Sequence, residues 1–125
     1  MLYLAGYTPT PIDRFGRTVA EITKTSLGAS AMVPWQAADD MSLLIAKLHA
    51  QGVTVVAVEQ TEQSISLFDF VEPENVAYIM GNEIDGVTNE TIALCDAVIE
   101  IPMHGRKESL NVATTTGIVL FQRSL

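Results

Sequence analysis

The chain has a single cysteine, Cys95, which excludes an internal disulfide and a multi-cysteine metal cluster and fits a reducing cytoplasm. Glycine and proline are sparse, at 8 and 5 residues, too few for a collagen-like or low-complexity chain. No apolar run approaches the ~18 residues of a membrane span, and the start MLYLAGYTP lacks the basic stretch and long apolar segment of a signal peptide. Positive charge is scarce as well: 7 Lys and Arg face 15 Asp and Glu, a formal charge of −8. Residues 48–105 hold ten acidic groups and no Lys or Arg, which argues against a protein that coats polyanions through nonspecific attraction. The cations gather at Arg14, Arg17 and Lys24 and again at Arg106 and Lys107. What is present, 48% hydrophobic and 18% charged residues over 125 positions, predicts one soluble globular domain, residues 1–125, around one core.

Along the chain, Leu2–Leu4 reads as a strand that runs into a loop, because Pro9 and Pro11 interrupt any regular element. Val19, Ile22 and Leu27 have loosely helical spacing, with Gly28 as a stop, and Ala31-Met32-Val33 before Pro34 reads as a short strand. Met41, Leu44, Ile45 and Leu48 fall at i, i+3, i+4 and i+7 behind Asp39-Asp40, predicting a helix with acids in its first turn that closes at Gly52. Val53–Val58 is the β-branched run of a strand buried on both faces, and Val76–Met80 and Ala97–Ile101 repeat it. Thr88 can cap a helix reaching Cys95, and Ser109 one that carries Leu110, Ala113, Gly117, Ile118 and Phe121. The alternation predicts an α/β fold with an open parallel sheet and helices on both faces.

Ligands of such sheets bind beyond the carboxyl ends of the strands, which directs attention to the segments after Val58, Met80 and Ile101. They begin with Glu59-Gln60-Thr61, the loop Gly81 to Val87, and Pro102 to Asn111. In the second, Gly81 allows close backbone approach and Gly86 a positive φ, yet no GxxxxGK[ST] and no GxGxxG exists, which removes the usual nucleotide-phosphate readings. Ser109 and Asn111 sit around a helix N-terminus, where free amides favour an electron-rich group and an asparagine can donate and accept together. His104 lies beside Arg106-Lys107 and reads as a solvated loop residue or a phosphate contact, with no second His or Cys near enough to suggest a metal. His49 reads as a surface residue and Cys95 as a small hydrophobe. No GxSxG occurs, so the nucleophile elbow a serine hydrolase would need is missing, while Met103 after Pro102 could cover an adenine face.

Together, GNEIDGV and IPMHGRKESLNVATTTGIVLF resemble the two C-terminal signature motifs of the SpoU-type (TrmH family) RNA 2′-O-ribose methyltransferases of the SPOUT superfamily. The likeness covers about Val76–Phe121, and LYLAGYTPTPIDRFGR with EITKTSLGA is similar to a subgroup of that family. The resemblance implies a C-terminal trefoil knot, in which Ala113, Thr114, Thr116 and Gly117 are small enough for tight helix packing, and a homodimer with active sites near the interface. It also implies S-adenosylmethionine as cofactor. Adenine would lie among the backbone of Gly81, Ile101 and Leu110, with Met103 and Gln60 nearby; Asn82 and Glu83 would shape the loop and interface. Glu83, Ser109 and Asn111 form the implied catalytic set, the last two holding the reacting side of the cofactor or ribose. Arg14, Arg17, Arg106 and Lys107 would contact phosphates of tRNA or rRNA.

The implied reaction is methyl transfer from a sulfonium to a ribose 2′-hydroxyl, an in-line displacement that needs alignment and removal of one proton. The family's first motif, which ends in a reactive arginine, lies upstream of the segment matching Leu2–Gly6, and this sequence starts at Met1, so an N-terminally shortened methyltransferase is expected. The spacing of Arg14 and Arg17 does not match that motif. Two other readings stand beside the enzyme: a noncatalytic cofactor-binding or dimerising module, and an unrelated flavodoxin-like domain.

Overall fold

The computed structural model describes residues 1–6, 8–27, 29–82, 84–106 and 109–122. They form two compact units, Met1–Leu44 and Ile45–Leu125. In the first, β1 (Leu2–Ala5) pairs in parallel with β2 (Trp35–Ala38), Leu2 opposite Trp35 and Ala5 opposite Ala38. Between them lie α1 (Ala20–Ser26) and α2 (Ala29–Met32). The strand expected at Ala31–Val33 is therefore shifted to residues 35–38. The Val33 amide donates to the Ala29 carbonyl at 2.9 Å and closes a helical turn, while the Pro34 carbonyl accepts from the Leu2 amide at 2.9 Å and opens the ladder. Helix α1 ends at Leu27 with φ 51°; the stop expected at Gly28 falls outside the described residues.

Helix α3 (Met41–Ala50) is where the apolar spacing places it. Its two acids precede the first turn rather than occupying it, and Asp40 acts as the cap: Oδ1 accepts from the Ser42 amide at 2.9 Å and the Leu43 amide at 3.2 Å. Ile45 and Leu48 are buried. Gly52 closes the helix in the left-handed region at φ 75°.

The second unit is built on a wholly parallel sheet with the order β4-β6-β3-β5. Its strands are β3 (Thr54–Val58), β4 (Ile65–Ser66), β5 (Val76–Met80) and β6 (Ala97–Glu100). Val55, Val56 and Ala57 are each fully buried, and since successive side chains point to opposite faces, both faces of β3 are covered. Val56 forms a core with Leu67, Ile99 and Val119, flanked by Tyr78 and Met80. Val119 comes from α5 (Val112–Phe121), and α4 (Asn89–Leu94) connects β5 to β6 behind the expected Thr88 cap, whose hydroxyl accepts from the Thr91 amide at 3.2 Å.

One contact was not foreseen. Asp96 Oδ2 accepts from the Val55 amide at 2.7 Å and lies 2.8 Å from His49 Nε2, so His49 is partnered rather than merely solvated. The Val55 amide, then His49, hold the Asp96 carboxyl below its ordinary value. Cys95 is half-buried with its thiol directed at the Thr91 carbonyl at 3.3 Å; burial, then the adjacent Asp96 charge, push its pKa up and disfavour the thiolate.

The N-terminus of α5 corrects the expected cap. Asn111, not Ser109, is the capping residue, with Oδ1 accepting from the Ala113 amide at 2.8 Å and the Thr114 amide at 3.4 Å. Starting the helix at Val112 leaves Ser109 outside it. At Gly117 a built Cβ meets nothing within 4 Å in this chain.

Candidate ligand cleft at the carboxyl ends of the sheet

Strand β3 has β5 on one side and β6 on the other, so the chain reverses its direction of travel across the sheet at β3. Such a switch point opens a crevice beyond the strand ends. A cleft of about 530 Å³ lies there, lined by the three strand ends and by the segments that leave them. Val58-Glu59-Gln60, Met80-Gly81-Asn82 and Glu100-Ile101 form its floor, and Met103, Ser109 and Leu110 with Val112 and Thr115 of α5 close one wall.

The Gly81–Val87 loop is held from inside and from below. Asn82 Oδ1 accepts from the Ile84 amide at 2.9 Å and the Asp85 amide at 2.6 Å, and the Gly86 amide donates to the Asn82 carbonyl at 3.1 Å. Glu59, at the end of β3, reaches across: Oε2 accepts from the Val87 amide at 2.9 Å and Oε1 from the Gln60 amide at 2.9 Å. Gly86 has the expected positive φ, 62°, and its bare Cα is where the Glu59 carboxylate passes. At Gly81 the structure shows a steric need for glycine within the loop itself. A Cβ there would strike the backbone of Gly86 and come within 2.5 Å of the Val87 nitrogen, so the loop's own return already excludes a side chain.

Sequence reasoning passed over Glu59 because a carboxylate after a strand resembles any polar loop residue. The signal that could have found it is its partner, a glycine whose missing side chain makes room for it. Glu59, Asp85 and Glu100 all line the cleft, whereas none of its described lining residues is Lys, Arg or His. Its field therefore favours a ligand with net positive charge over a polyphosphate.

Of the residues singled out in the sequence, Gln60, Gly81, Asn82, Ile101, Met103, Ser109 and Leu110 all meet around this cleft. Asn111 stands at its edge as the α5 cap; because Oδ1 is engaged with helix amides, the side-chain NH₂ is the group it can offer to a ligand. Glu83 and Lys107 fall outside the described residues. Arg106 is exposed, and Arg14 and Arg17 belong to the first unit, both exposed. Among the described residues no three His, Cys, Asp or Glu side chains gather as a metal-binding group.

Comparison with known proteins agrees with this geometry. Residues 11–121 match the sequence model of the SpoU rRNA Methylase family. The 23S rRNA (guanosine-2′-O-)-methyltransferase RlmB of Xanthomonas axonopodis pv. citri is 35% identical over 112 residues, covering 90% of this chain and 45% of that protein. RlmB of Neisseria meningitidis serogroup B is 31% identical over 110 residues, 88% of this chain and 44% of its own length. The chain thus spans less than half the length of these curated relatives. Among solved structures, the AdoMet-bound rRNA methyltransferase from Sinorhizobium meliloti superposes with a TM-score of 0.83 at 31% identity, over 98% of this chain and 45% of that one. The A. aeolicus TrmH/SpoU tRNA modifying enzyme gives 0.76 at 27% identity, over 97% and 59%. With a parallel α/β sheet, a cleft at its switch point and a family match across 11–121, the chain belongs to the SpoU rRNA methylase family.

Proposed function

We propose that residues 1–125 form a SPOUT methyltransferase domain that binds S-adenosylmethionine in the cleft and transfers its methyl group to a ribose 2′-hydroxyl of rRNA or tRNA. The observation that carries this reading is the cleft itself: the backbone of three strand ends, two methionines and three carboxylates, with no cation among its described lining. That set suits a cofactor that is held largely through the backbone and carries one net positive charge. S-adenosylmethionine, when bound, supplies a methyl group on a sulfonium that departs as a neutral thioether. In this reading the backbone of Gly81, Ile101 and Leu110 holds the adenine, Met103 covers its face and Gln60 lies beside it. Asn82 with Glu83 shapes the loop, and Ser109 with the Asn111 NH₂ orients the reacting side. Alignment of oxygen, methyl and sulfur supplies most of the acceleration available to such a displacement.

Arg14, Arg17, Arg106 and Lys107 are the phosphate contacts of this proposal, since RNA has to meet an acidic chain where its few cations are. The trefoil knot, a homodimer and residence in the cytoplasm belong to the same reading. Support for the dimer comes from α5, which leaves Leu120 and Phe121 56% and 67% exposed. Among the described residues no helix is long and apolar enough to cross a membrane.

The lack of a cationic side chain in the described lining also favours a second reading, a cofactor-binding module without transfer. Incubation with methyl-labelled S-adenosylmethionine and rRNA or tRNA, followed by alkaline hydrolysis, separates the two. Label in alkali-resistant dinucleotides is the outcome expected of ribose 2′-O-methylation; cofactor binding with no label transferred would establish the second reading.

A further inference from the structure

The turn that carries Arg14 and Arg17 is more than a basic patch. Ile12 and Thr18 close it with an antiparallel bridge, the Asp13 amide donates to the Arg17 carbonyl at 2.7 Å, and Gly16 turns the chain at φ 78°. The Asp13 carboxylate fills the turn. Oδ1 accepts from the Phe15 amide at 2.8 Å and the Arg17 amide at 3.0 Å, while Oδ2 holds Arg17 Nε at 3.1 Å. The Arg17 amide above all, with the Phe15 amide and the Arg17 guanidinium, keeps the Asp13 carboxyl below its ordinary value.

At the apex sits Phe15, 66% exposed, with Arg14 Cζ 4.7 Å and Arg17 Cζ 4.9 Å from its ring centroid. A phenylalanine that far out of the core gains little from burial, and one surface cation–π contact contributes only about 0.5–1 kcal/mol. Two guanidinium groups beside one exposed ring, on a turn fixed by a buttressing carboxylate, gather three groups that each have a planar face. Unpaired nucleobases stack on such planes, and the phosphates that flank each base are met by the free guanidinium nitrogens. Paired bases are out of reach, since a helical RNA presents its backbone and grooves rather than its base faces. A contact to phosphate alone would need the arginines and not the ring.

We infer that the Arg14-Phe15-Arg17 turn is a stacking site for an unpaired base of the RNA substrate. The inference rests on the RNA reading above and deepens it, adding recognition of single-stranded RNA to a chain whose acidic 48–105 stretch has no Lys or Arg to offer. Because Asp13 fixes the turn before RNA arrives, binding does not have to order it.

The test is fluorescence anisotropy with a labelled oligoadenylate and with a fully paired RNA duplex of equal length, each across a salt series. Phe15→Leu keeps the bulk and removes the π face; it is expected to weaken oligoadenylate binding about tenfold at every salt concentration and to leave duplex binding unchanged. Phe15→Trp restores the affinity, and Arg14→Gln lowers the salt slope by about one. Oligoadenylate affinity in Phe15→Leu equal to that of the unsubstituted chain, preference of the unsubstituted chain for duplex, or no oligoadenylate binding at low salt would each overturn the inference. S-adenosylmethionine titrated into the same Phe15→Leu protein keeps the two claims apart. Retained cofactor binding with unchanged oligoadenylate affinity removes only the stacking site, whereas lost oligoadenylate affinity in a chain that never binds the cofactor removes only the methyltransferase reading.

Discussion

Glu59 and the two loop glycines show how single residues build the cleft. The carboxylate ties the end of β3 to the Val87 amide across a space that exists because Gly86 has no side chain. Glu59→Gln replaces a charged acceptor by an amide whose NH₂ opposes an N–H, and is expected to cost about 2 kcal/mol and to speed hydrogen exchange at the Val87 amide. Unchanged protection at Val87 would show that the loop does not depend on this contact. Gly81 was legible as special from the sequence alone, but not why: its constraint comes from Gly86, five positions on, and only the closed loop brings the two together. Asn82 was legible as a turn former, since an asparagine oxygen readily accepts from amides two and three positions later, as its Oδ1 does here.

At the scale of elements, periodicity located what is buried and missed what is held by pairing. The β-branched run of β3 and the i, i+3, i+4, i+7 pattern of α3 are direct images of burial and could be read. Strand β2, Trp-Gln-Ala-Ala, has little intrinsic strand character and exists because it pairs with β1; β4, two residues long, exists because it pairs with β6. The α5 cap was displaced by two positions because both Ser109 and Asn111 are good caps, and only the geometry selects one. Asn111→Ala is therefore expected to lower stability by about 1 kcal/mol in urea denaturation, and Ser109→Ala to leave it unchanged. Equal losses would return the cap to Ser109.

Asp96 links elements that lie far apart in sequence, accepting from the β3 amide of Val55 and from His49 of α3. Its carboxyl has a lower pKa folded than unfolded, so below about pH 4 the unfolded chain binds more protons and stability falls as the pH drops through the folded value. The urea midpoint is expected to hold from neutral pH to about pH 5 and to fall below about pH 4, with Asp96→Asn reducing the midpoint at neutral pH and flattening that fall. An acid limb in Asp96→Asn as steep as in the unsubstituted chain would assign the loss to other carboxylates, such as Asp13 and Asp40, which are also held below their ordinary values.

For the molecule as a whole, the alternation of strands and helices was enough to expect a parallel sheet, and the carboxyl ends of its strands were enough to say where to look for a cleft. The spatial order was not legible. Inserting β6 between β3 and β4 requires a late strand to enter a place left by earlier ones, and local pattern carries no trace of such a step. That insertion makes β3 the switch point and brings Gly81, Ile101 and Leu110, remote in sequence, around one cleft. The charge of the chain acts at this scale too, with carboxylates and no Lys or Arg among the described residues that line the cleft.

The central claim, a cofactor cleft at that switch point, is tested most directly by titrating S-adenosylmethionine into the isotope-labelled chain and following backbone amide resonances. Saturable shifts at Gly81, Gly86, Ile101 and Leu110 that fit one dissociation constant are expected. A folded chain whose amides at these four positions do not respond, or whose responses cluster outside the cleft, would contradict it.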